Sequence, residues 1–184
     1  ITITDCQSYS NSSYGMIVST CTSLLVKNCS SWRNGSDGFS LSASDSTVTN
    51  NFAGWNSGSG LGFGGYGVVS FNHCASNNVT GLGASRNDSM TLVVSSNQLH
   101  HNGGVGLWVS GGYYGISAQA VGNTSYANGG AGLVGNRCEG VMGNLVYSNS
   151  GDGVVSEYAT HIARNVIRDN QGHGISGWYS LVAS

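Results

Sequence analysis

Proline and lysine are nearly missing from this chain of 184 residues: there is no proline, and Lys27 is the one lysine. Charged residues make up 8%, far below the roughly 25% of an ordinary soluble domain. With so few cations and a formal net charge of −2, the chain lacks the basic surface that nucleic-acid binding needs. We therefore expect no nucleic-acid partner.

Long apolar runs are missing too, so the sequence predicts no membrane span. Thirty glycines without proline, beside many Val, Leu and Ile residues, exclude a collagen-like repeat and argue against a disordered linker. The chain opens with "ITITDC", without an initiator methionine or a signal-peptide pattern. We expect a single domain over residues 1–184, which is either a processed product or a segment of a longer repeat protein.

What the chain has in abundance is one five-residue phrase, Asn-x-x-x-Gly, which occurs eight times at steps of 21 to 26 residues. The asparagines of this phrase, the frame asparagines, are Asn11, Asn34, Asn56, Asn77, Asn102, Asn128, Asn149 and Asn170. Each frame glycine is followed by an apolar residue, and another apolar residue stands eight positions before each frame asparagine. Six repeats add a second asparagine five positions before the first. Such self-similarity indicates one structural unit stacked on copies of itself.

A period near 22 residues fits either a leucine-rich repeat or a coil of a parallel β-helix. The leucine-rich phrase L-x-x-L-x-L is missing, and no repeat holds a helical periodicity of the needed length. Short β-branched stretches such as "ITIT", "TVT" and "TLVV" alternate with Gly, Asn and Ser instead. Three strands and three turns fit into each period, so the sequence predicts an all-β solenoid of about eight coils.

Stacked coils place equivalent side chains in columns about 4.8 Å apart. We expect the eight frame asparagines to form a ladder of amide hydrogen bonds. The residues after the frame glycines, from Met16 to Ile175, are expected to form one inward column. Each frame glycine is expected to adopt a positive φ in the turn before that column.

The pattern closely resembles the right-handed parallel β-helix repeat of the pectate-lyase-like superfamily. The segments "NLVYSNSGDGV" (144–154) and "NVIRDNQGHGI" (165–175) match that repeat best. The resemblance covers the whole chain and implies a right-handed parallel β-helix. It leaves the function open, because the superfamily includes lyases, hydrolases, epimerases, phage tailspikes and adhesins.

Polysaccharide-degrading members of that superfamily work with clustered carboxylates, a basic residue or bound calcium, and this chain has only eight Asp and Glu residues. One gathering stands nine to twelve residues after the frame asparagines, where the two longest coils carry their extra residues. Arginine, acid and tyrosine side chains suit a saccharide there, because a sugar combines an apolar ring face with hydroxyl groups. The candidate saccharide-binding residues are Arg86, Asp88, Tyr113, Tyr114, Arg137, Glu139 and Tyr158. The alternative is a solvated loop edge with ordinary ion pairs.

Catalytic and metal chemistry find less support in the sequence. Asp152 and His173 share a register one coil apart, but no nucleophile stands with them, so we expect a pair on the surface of a turn. His100 and His101 have no companion at a zinc-ligand spacing, and we expect no metal and no cofactor. No two carboxylates stand at a spacing suited to glycoside chemistry, so we expect no lyase or glycosidase turnover.

Cys6 and Cys29 occupy the register in which later coils carry the second asparagine, and one coil separates them. That spacing allows a disulfide, and a pair of thiols is the alternative. Six N-x-[S/T] sequons occur. Asn87, in a long loop, is the best candidate for glycosylation, followed by Asn78 and Asn28.

Aromatic residues precede most frame asparagines by one or two positions and form a trail along the solenoid. They are Tyr9, Trp32, Trp55, Tyr126 and Tyr147, with His100 in the same register. An outward trail would suit glycans or a partner surface, and an inward trail would belong to the core. The sequence leaves both orientations open.

Two classes of function remain. Scarce carboxylates and the single lysine favour an extracellular or surface-displayed scaffold with a structural or adhesive role. Such a scaffold would be a glycosylated fibre that pairs end to end with copies of itself, or it would continue into further repeats. The alternative is a carbohydrate-active module, either a lyase, hydrolase or epimerase-like enzyme or a glycan binder, which uses the gathered arginine, acid and tyrosine side chains.

Overall fold

The computed structural model describes residues 1–86, 90–112, 117–159 and 161–178. These residues form 21 strands in two parallel sheets, with no helix among them. In the described ranges, accordingly, no helix has the length and apolar character that a membrane crossing needs. Each coil adds one strand to the smaller sheet, sheet B, and one or two to the larger, sheet A. The predicted all-β parallel solenoid of about eight coils is confirmed.

Sheet B consists of eight three-residue strands in parallel register. They are β2 (Gln7–Tyr9), β4 (Ser30–Trp32), β6 (Phe52–Gly54), β8 (His73–Ala75), β11 (Gln98–His100), β14 (Thr124–Tyr126), β17 (Leu145–Tyr147) and β20 (Val166–Arg168). Side chains alternate between the two faces of a strand, so the middle residue points inward and its two neighbours point outward. Ser31, Leu99 and Val146 are buried middle residues.

Sheet A begins with β1 and three long strands and then forks into two arms. The undivided part comprises β1 (Thr2–Thr4), β3 (Met16–Lys27), β5 (Phe39–Thr49) and β7 (Leu61–Ser70). Arm a comprises β9 (Leu82–Ser85), β12 (Leu107–Ser110), β15 (Leu133–Asn136), β18 (Val154–Glu157) and β21 (Ile175–Trp178). Arm b comprises β10 (Leu92–Ser95), β13 (Ala118–Val121), β16 (Cys138–Met142) and β19 (Ile162–Ala163).

Three corners join these strands in each coil. The frame corner leads from sheet B to sheet A and contains six residues in every coil, for example 33–38 and 127–132. The short corner leads back to sheet B through two residues, for example 96–97. The open corner lies between arm a and arm b, and it contains one residue in coil 6 (Arg137) but seven in coil 5 (111–117). All variation in coil length therefore arises at the open corner.

The frame asparagines form the predicted ladder, one rung per coil. The side-chain amide Nδ2 of Asn102 donates to Oδ1 of Asn128 at 3.0 Å, and its Oδ1 accepts from Nδ2 of Asn77 at the same distance. The backbone N–H of Asn102 also donates to Oδ1 of Asn128, at 3.1 Å. Each amide is thus satisfied by the coils below and above it, which is what a buried polar column requires.

A second ladder runs through the short corner from Asn51 to Asn165. Its Asn97 donates through Nδ2 to Oδ1 of Asn123 at 3.0 Å and to the carbonyl oxygen of Val69 at 3.0 Å. In coil 2 the same register holds Cys29, whose backbone N–H donates to Oδ1 of Asn51 at 2.9 Å. The second ladder therefore lacks an amide side chain in the first two coils.

The backbone of the frame corner differs from the prediction. Positive φ occurs not at the frame glycines but at the residue before each frame asparagine, for example at Ala127 (52°). The frame glycines are needed for space, because a Cβ on Gly106 would lie 2.5 Å from Nδ2 of Asn128 and 2.8 Å from the carbonyl oxygen of Gly132. The stacking of the next coil, rather than backbone conformation, requires glycine there.

The core is a set of stacked inward columns. The predicted column after the frame glycines is buried from Phe39 to Val154, and Leu107 and Leu133 have no exposed surface. Met16 is partly buried, and Ile175 in coil 8 is 41% exposed. A second column follows the short side of the coil through Val48 and Val94. Burial in continuous columns is the principal source of the stability of such a solenoid.

Candidate functional site

The open corner places three of the predicted residues in one register. Arg86, Arg137 and Tyr158 each follow the last residue of a strand in arm a. Arg137 and Tyr158 come together, with the guanidinium carbon 5.6 Å from the centre of the ring. Arg86 lies two coils away from Arg137, and its side chain is buried at 3% exposure. Asp88, Tyr113 and Tyr114 belong to the same corner but lie outside the described residues.

Glu139 stands two positions after Arg137 in the sequence, and its part in saccharide binding stays a prediction. It lies on β16 with its side chain exposed on the outer face of arm b, where Nε2 of Gln119 donates to its Oε2 at 2.9 Å.

A groove that the sequence did not reveal follows the open corner through coils 1 to 4. Its volume is about 410 Å³. The lining residues are Thr20, Cys21, Thr22, Ser42, Ala43, Ser44, Gly64, Gly65, Tyr66, Ser85 and Arg86. Hydroxyl groups dominate this lining, and Arg86 is the one charged residue in it. Bulges in β3 and β5 shape the groove, since the register of the long strands shifts between Ala43 and Asp45.

Beside the groove, the outer face of sheet A is nearly bare. Gly62 and Gly64 on β7 and Gly83 on β9 stand at outward positions, flanked by serines of the neighbouring strands. We call these three glycines the glycine floor. A Cβ on Gly62 would meet nothing closer than the carbonyl oxygen of Phe39 at 3.7 Å. The fold therefore has room for a side chain at Gly62, unlike at the frame glycines.

Trp108 on β12 stands at the C-terminal edge of the glycine floor. It pairs in register with Gly83, and its Cε3 lies 3.9 Å from the place where a Cβ of Gly83 would be. The side chain is partly exposed on the outer face of arm a. The indole of Trp108 thus stands next to the glycine floor, and hydroxyl groups line the adjoining groove.

In the predicted pair Asp152 and His173, the carboxylate binds the backbone of His173 rather than its imidazole. Oδ1 of Asp152 accepts from the backbone N–H of His173 at 2.7 Å, and its Oδ2 accepts from Oγ of Ser176 at 2.5 Å. These hydrogen bonds, first that from Ser176, lower the pKa of Asp152. Asp37 holds the same position in coil 2 and accepts from the backbone N–H of Ser59 at 2.7 Å. The carboxylates cap turns, as expected for a pair on a turn surface.

The aromatic trail points outward from sheet B and stacks along the solenoid. The rings of Tyr9 and Trp32 lie 4.6 Å apart at 13°, and those of Tyr126 and Tyr147 lie 4.9 Å apart at 2°. The guanidinium of Arg168 covers the Tyr147 ring at 4.7 Å. Gly54 and Ala75 interrupt the column in coils 3 and 4. The ring of Phe52 lies over Gly54. A Cβ on Gly54 would lie only 2.6 Å from Cζ of Phe52.

His100 continues this column, and His73 and His101 lie beside it. Nε2 of His73 lies 2.7 Å from Nε2 of His100, and Nδ1 of His100 lies 2.8 Å from Nδ1 of His101. Burial lowers the pKa of His73, and burial followed by the neighbouring histidines lowers the pKa of His100. Neutral imidazoles can share protons in such a chain, each donating once and accepting once. Within the described ranges, no group of three His, Cys, Asp or Glu side chains could hold a metal ion.

The predicted disulfide is not formed: Cys6 and Cys29 are free thiols. Each sulfur instead hydrogen-bonds to the backbone carbonyl two residues earlier, Cys6 to Thr4 at 3.2 Å and Cys29 to Lys27 at 3.3 Å. The sulfur of Cys29 also reaches the carbonyl oxygen of Ile3 in the preceding coil, at 3.6 Å. Burial raises the pKa of Cys29, which keeps it a thiol.

The glycosylation candidates remain predictions. Asn78 and Asn28 are both exposed. Nδ2 of Asn28 donates to Oδ1 of Asp5 at 3.1 Å, so its amide is already engaged. Asn87 lies outside the described residues.

Comparison with known proteins finds the same fold in other chains. A family model described as "Right handed beta helix region" matches residues 1–142. The A-module of mannuronan C-5 epimerase AlgE4 from Azotobacter vinelandii has a TM-score of 0.64 at 15% identity, covering 100% of this chain and 64% of that one. The A-module of AlgE6 from the same organism has a TM-score of 0.59 at 15% identity, covering 100% of this chain and 58% of that one.

The chain therefore spans less than two thirds of each of these modules. At this level of identity, the likeness concerns the fold. Comparison with curated protein sequences gives no match.

Proposed function

The chain belongs to the family of the right-handed beta helix region, and on that premise we propose that it binds an acidic polysaccharide at the open corner. The sugar chain lies in the hydroxyl-lined groove of coils 1 to 4 and on the adjoining glycine floor. The observation that carries this proposal is the conjunction of the groove, the bare floor and the wall of Trp108 on one outer face of sheet A.

The groove offers the hydrogen-bonding groups that a saccharide needs. Hydroxyls of Ser42, Ser44 and Thr22 can both donate and accept, which matches the hydroxyls of a sugar ring. None of the lining residues carries a carboxylate, so the lining itself does not repel an anionic chain.

The glycine floor supports the same ligand. Glycine in the interior of a strand weakens the strand and often marks a place where a ligand approaches the backbone. Gly62 has room for a Cβ, so stacking of the coils does not explain its presence. A sugar ring on this floor would contact the indole of Trp108 with its apolar face.

The comparisons support the substrate class. Both solved relatives are named mannuronan C-5 epimerases, and mannuronan is a polymer of uronic acid. We extend to this chain the binding of a polyuronate, not the epimerase reaction. The absence of lyase and glycosidase turnover remains a prediction. Because polysaccharides of this kind surround cells, an extracellular or surface-displayed location accompanies the proposal.

The scaffold hypothesis also remains a prediction. The first and last described coils, with β1, β2, β20 and β21, present strand edges that a second copy or further repeats could pair with. A scaffold with a saccharide-binding corner would combine both functions that the sequence allows. Sizing of the protein across a range of concentrations tests the end-to-end pairing independently of sugar binding.

The direct test fills the glycine floor. Gly62→Val adds an isopropyl group where the sugar ring would lie, and Val134 and Val155 hold the same register in later coils, so the fold accepts the change. We expect the Kd for polymannuronate, measured by titration calorimetry, to rise at least about tenfold. The unfolding midpoint should stay the same or rise, since valine favours strands.

Ser95→Val is the matched control. It adds the same kind of side chain to the outer face of arm b, where Val121 is its neighbour in register. We expect no change in polymannuronate affinity. Failure of the unaltered protein to bind polymannuronate or polygalacturonate at low salt would contradict the proposal, as would equal losses in the two variants.

A further inference from the structure

Three imidazole rings form a continuous chain of nitrogen contacts on the outer face of sheet B. His73 on β8 belongs to coil 4, and His100 and His101 belong to coil 5. Nε2 of His73 faces Nε2 of His100, and Nδ1 of His100 faces Nδ1 of His101, at 2.7 and 2.8 Å. The residue in register with His100 in coil 4 is Ala75, which carries no ring. The contact between the side chains of the two coils therefore passes through His73, and we call the three rings the histidine chain.

A proton, rather than a metal ion, fits between these nitrogens. Two imidazole ligands of one zinc ion each lie about 2.0–2.1 Å from the metal, so at tetrahedral angles their nitrogens are farther apart than the 2.7 Å between His73 and His100. Each contact is therefore a hydrogen bond, which needs one nitrogen with a proton and one nitrogen without.

The number of protons decides whether both contacts persist. Three neutral rings carry three protons on six nitrogens, which leaves a bare nitrogen for each contact. One added proton can still occupy an outer nitrogen of the chain. With two added protons a single bare nitrogen remains, so one contact must bring two N–H groups together. The second proton therefore breaks the histidine chain.

A positive charge on the histidine chain has no carboxylate beside it. The strands β6, β8, β11 and β14, with the corners on either side of them, contain no Asp, Glu, Lys or Arg. The other titratable groups of these segments are the hydroxyl of Tyr126, whose ring stacks on His100 at 4.7 Å, and the thiol of Cys74, whose pKa is raised by burial. The segments comprise residues 50–60, 71–81, 96–106 and 122–132.

Charged groups occur in the register of His101 only farther along the solenoid. Arg33 stands three coils before His101, and Asp169 stands three coils after it, paired with Arg168 at 2.6 Å. Three coils span roughly 14 Å, which exceeds the screening length of about 10 Å for exposed charges. Neither group offsets a charge on the histidine chain.

The direction of the pKa shifts agrees with this geometry. Burial lowers the pKa of His73, and burial followed by the neighbouring imidazoles lowers the pKa of His100. Because both lie below the ordinary value of 6.5, the unfolded chain takes up protons first as the pH falls. The stabilising contribution is complete above pH 6.5 and is lost as the pH falls toward the lowered values.

We propose that His73, His100 and His101 form an acid-sensitive link between coils 4 and 5. At neutral pH the uncharged chain joins the two coils across sheet B. In acid, repulsion between charged rings and the loss of one contact separate the rings, which loosens β8 from β11. The open corner takes no part in this link, so the proposal is independent of saccharide binding.

Urea unfolding of the whole chain between about pH 8 and pH 5 tests the link. We expect the unfolding midpoint to decrease as the pH falls below about 6.5. His100→Tyr removes the central imidazole, and the fold accepts tyrosine because Tyr126 and Tyr147 hold the same register. In that variant the decrease should be less than about half as large. His161→Gln, which removes an exposed imidazole outside the histidine chain, is the matched control and should keep the full decrease.

Amide hydrogen exchange shows where the solenoid loosens. The N–H of Gln98 donates to the carbonyl oxygen of Asn72 at 2.9 Å and that of Ser76 to the carbonyl oxygen of His100 at 3.1 Å, both between coils 4 and 5. Corrected for the intrinsic effect of pH, the protection of these two amides should fall at least about tenfold from pH 8 to pH 5. The amide of Ser30, bound between coils 1 and 2, should change less.

Two results would overturn the proposal. One is an equal decrease of the unfolding midpoint in His100→Tyr and in the unaltered chain. The other is a loss of protection at Gln98 and Ser76 no larger than that at Ser30, since acid would then weaken the whole solenoid rather than this link.

Discussion

The frame corner and the open corner lie on the same coil, but the frame corner has a constant length and the open corner does not. The frame corner holds six residues in all eight coils. The open corner is a bulged continuous strand in coils 1 to 3, a single residue in coil 6 and a connection of six or seven residues in coils 4 and 5. All the candidate saccharide-binding residues of the open corner fall in the variable part.

Hydrogen bonding explains the contrast. In the frame corner, each asparagine is bound to the coil before and the coil after, and each glycine leaves just enough space for the next amide. A change of length would misplace every one of these groups at once. The open corner has no such column, so its length can change at the cost of loop closure alone. Connections of variable length on a rigid scaffold are where binding residues most often lie.

An insertion gives the strongest test of this contrast. Gly-Ser inserted after Gly130 lengthens the frame corner of coil 6 and separates the backbone hydrogen bonds of Gly130 and Gly132 to the adjacent coils. We expect the free energy of unfolding to fall by at least about 3 kcal/mol. The same insertion after Arg137, in the open corner of the same coil, should cost less than about 1 kcal/mol. Urea unfolding followed by circular dichroism measures both, and equal losses would remove the distinction between the corners.

A smaller change within the frame corner tests the space for the ladder. Gly106→Ala places a Cβ 2.5 Å from Nδ2 of Asn128, and we expect a loss of about 2–3 kcal/mol. Gly174→Ala is the matched control, because a Cβ at that frame glycine meets nothing within 4 Å. The two variants differ in the coil stacked above them and not in backbone conformation. A similar midpoint for both in urea would show that the glycines are not held by stacking.

Removal of one ladder amide should lower the free energy of unfolding somewhat less than displacing that amide does. Asn102→Ala deprives Asn77 of its acceptor and the carbonyl oxygen of Cys74 of its donor, and we expect a loss of about 2 kcal/mol. Asn136→Ala at the end of β15, next to the open corner, is the comparison, because Oδ1 of Asn136 is buried without a hydrogen-bond partner among the described residues. That variant should change the unfolding free energy by less than about 0.5 kcal/mol. An equal loss of unfolding free energy in Asn136→Ala and Asn102→Ala would show that the hydrogen bonds of the frame ladder add nothing to stability.

The smallest expected effect is a gain. Cys29→Asn would extend the second ladder into coil 2, where the sulfur of Cys29 reaches the carbonyl oxygen of Ile3 only at 3.6 Å. An amide there would repeat the bond of 3.1 Å between Asn51 and Val26, and we expect about 1 kcal/mol of added stability. Cys74→Asn is the control, since the Cys74 side chain is buried in the core and belongs to neither asparagine column, and it should be destabilising. Thermal melting of the two variants shows whether the change in stability depends on the register of the position or on asparagine itself.

The sequence was sufficient for the parts of the fold that repeat. Eight frames fixed the number of coils, the ladder from Asn11 to Asn170 and the inward column, because each depends on residues that stack on their own kind. It was wrong about φ at the frame glycines, since glycine satisfies both a backbone and a spatial requirement and the pattern does not separate them. It also allowed a bond between Cys6 and Cys29, because register gives the separation of two residues but not the direction of their side chains.

The site was less predictable for a physical reason. Arg86, Arg137 and Tyr158 could be proposed because charged and aromatic residues are rare in this chain, and their role in saccharide binding stays a prediction. The hydroxyls of Ser42 and Ser44 were missed because serine occurs throughout the chain. Only the bulge that gathers such residues into a groove makes them a site, and a bulge leaves no mark in composition.

The ladder also affects how this protein ages. Asn34, Asn102 and Asn128 each precede a glycine, the pairing in which an asparagine side chain is most readily attacked by the next backbone nitrogen and lost as ammonia. In the solenoid those glycine nitrogens donate to the carbonyl oxygens of Asn11, Asn77 and Asn102 one coil away. The attacking atom and the amide under attack are therefore both held in place, and deamidation must wait until a coil opens. The rate of deamidation at these three asparagines therefore reports how often the coils open locally.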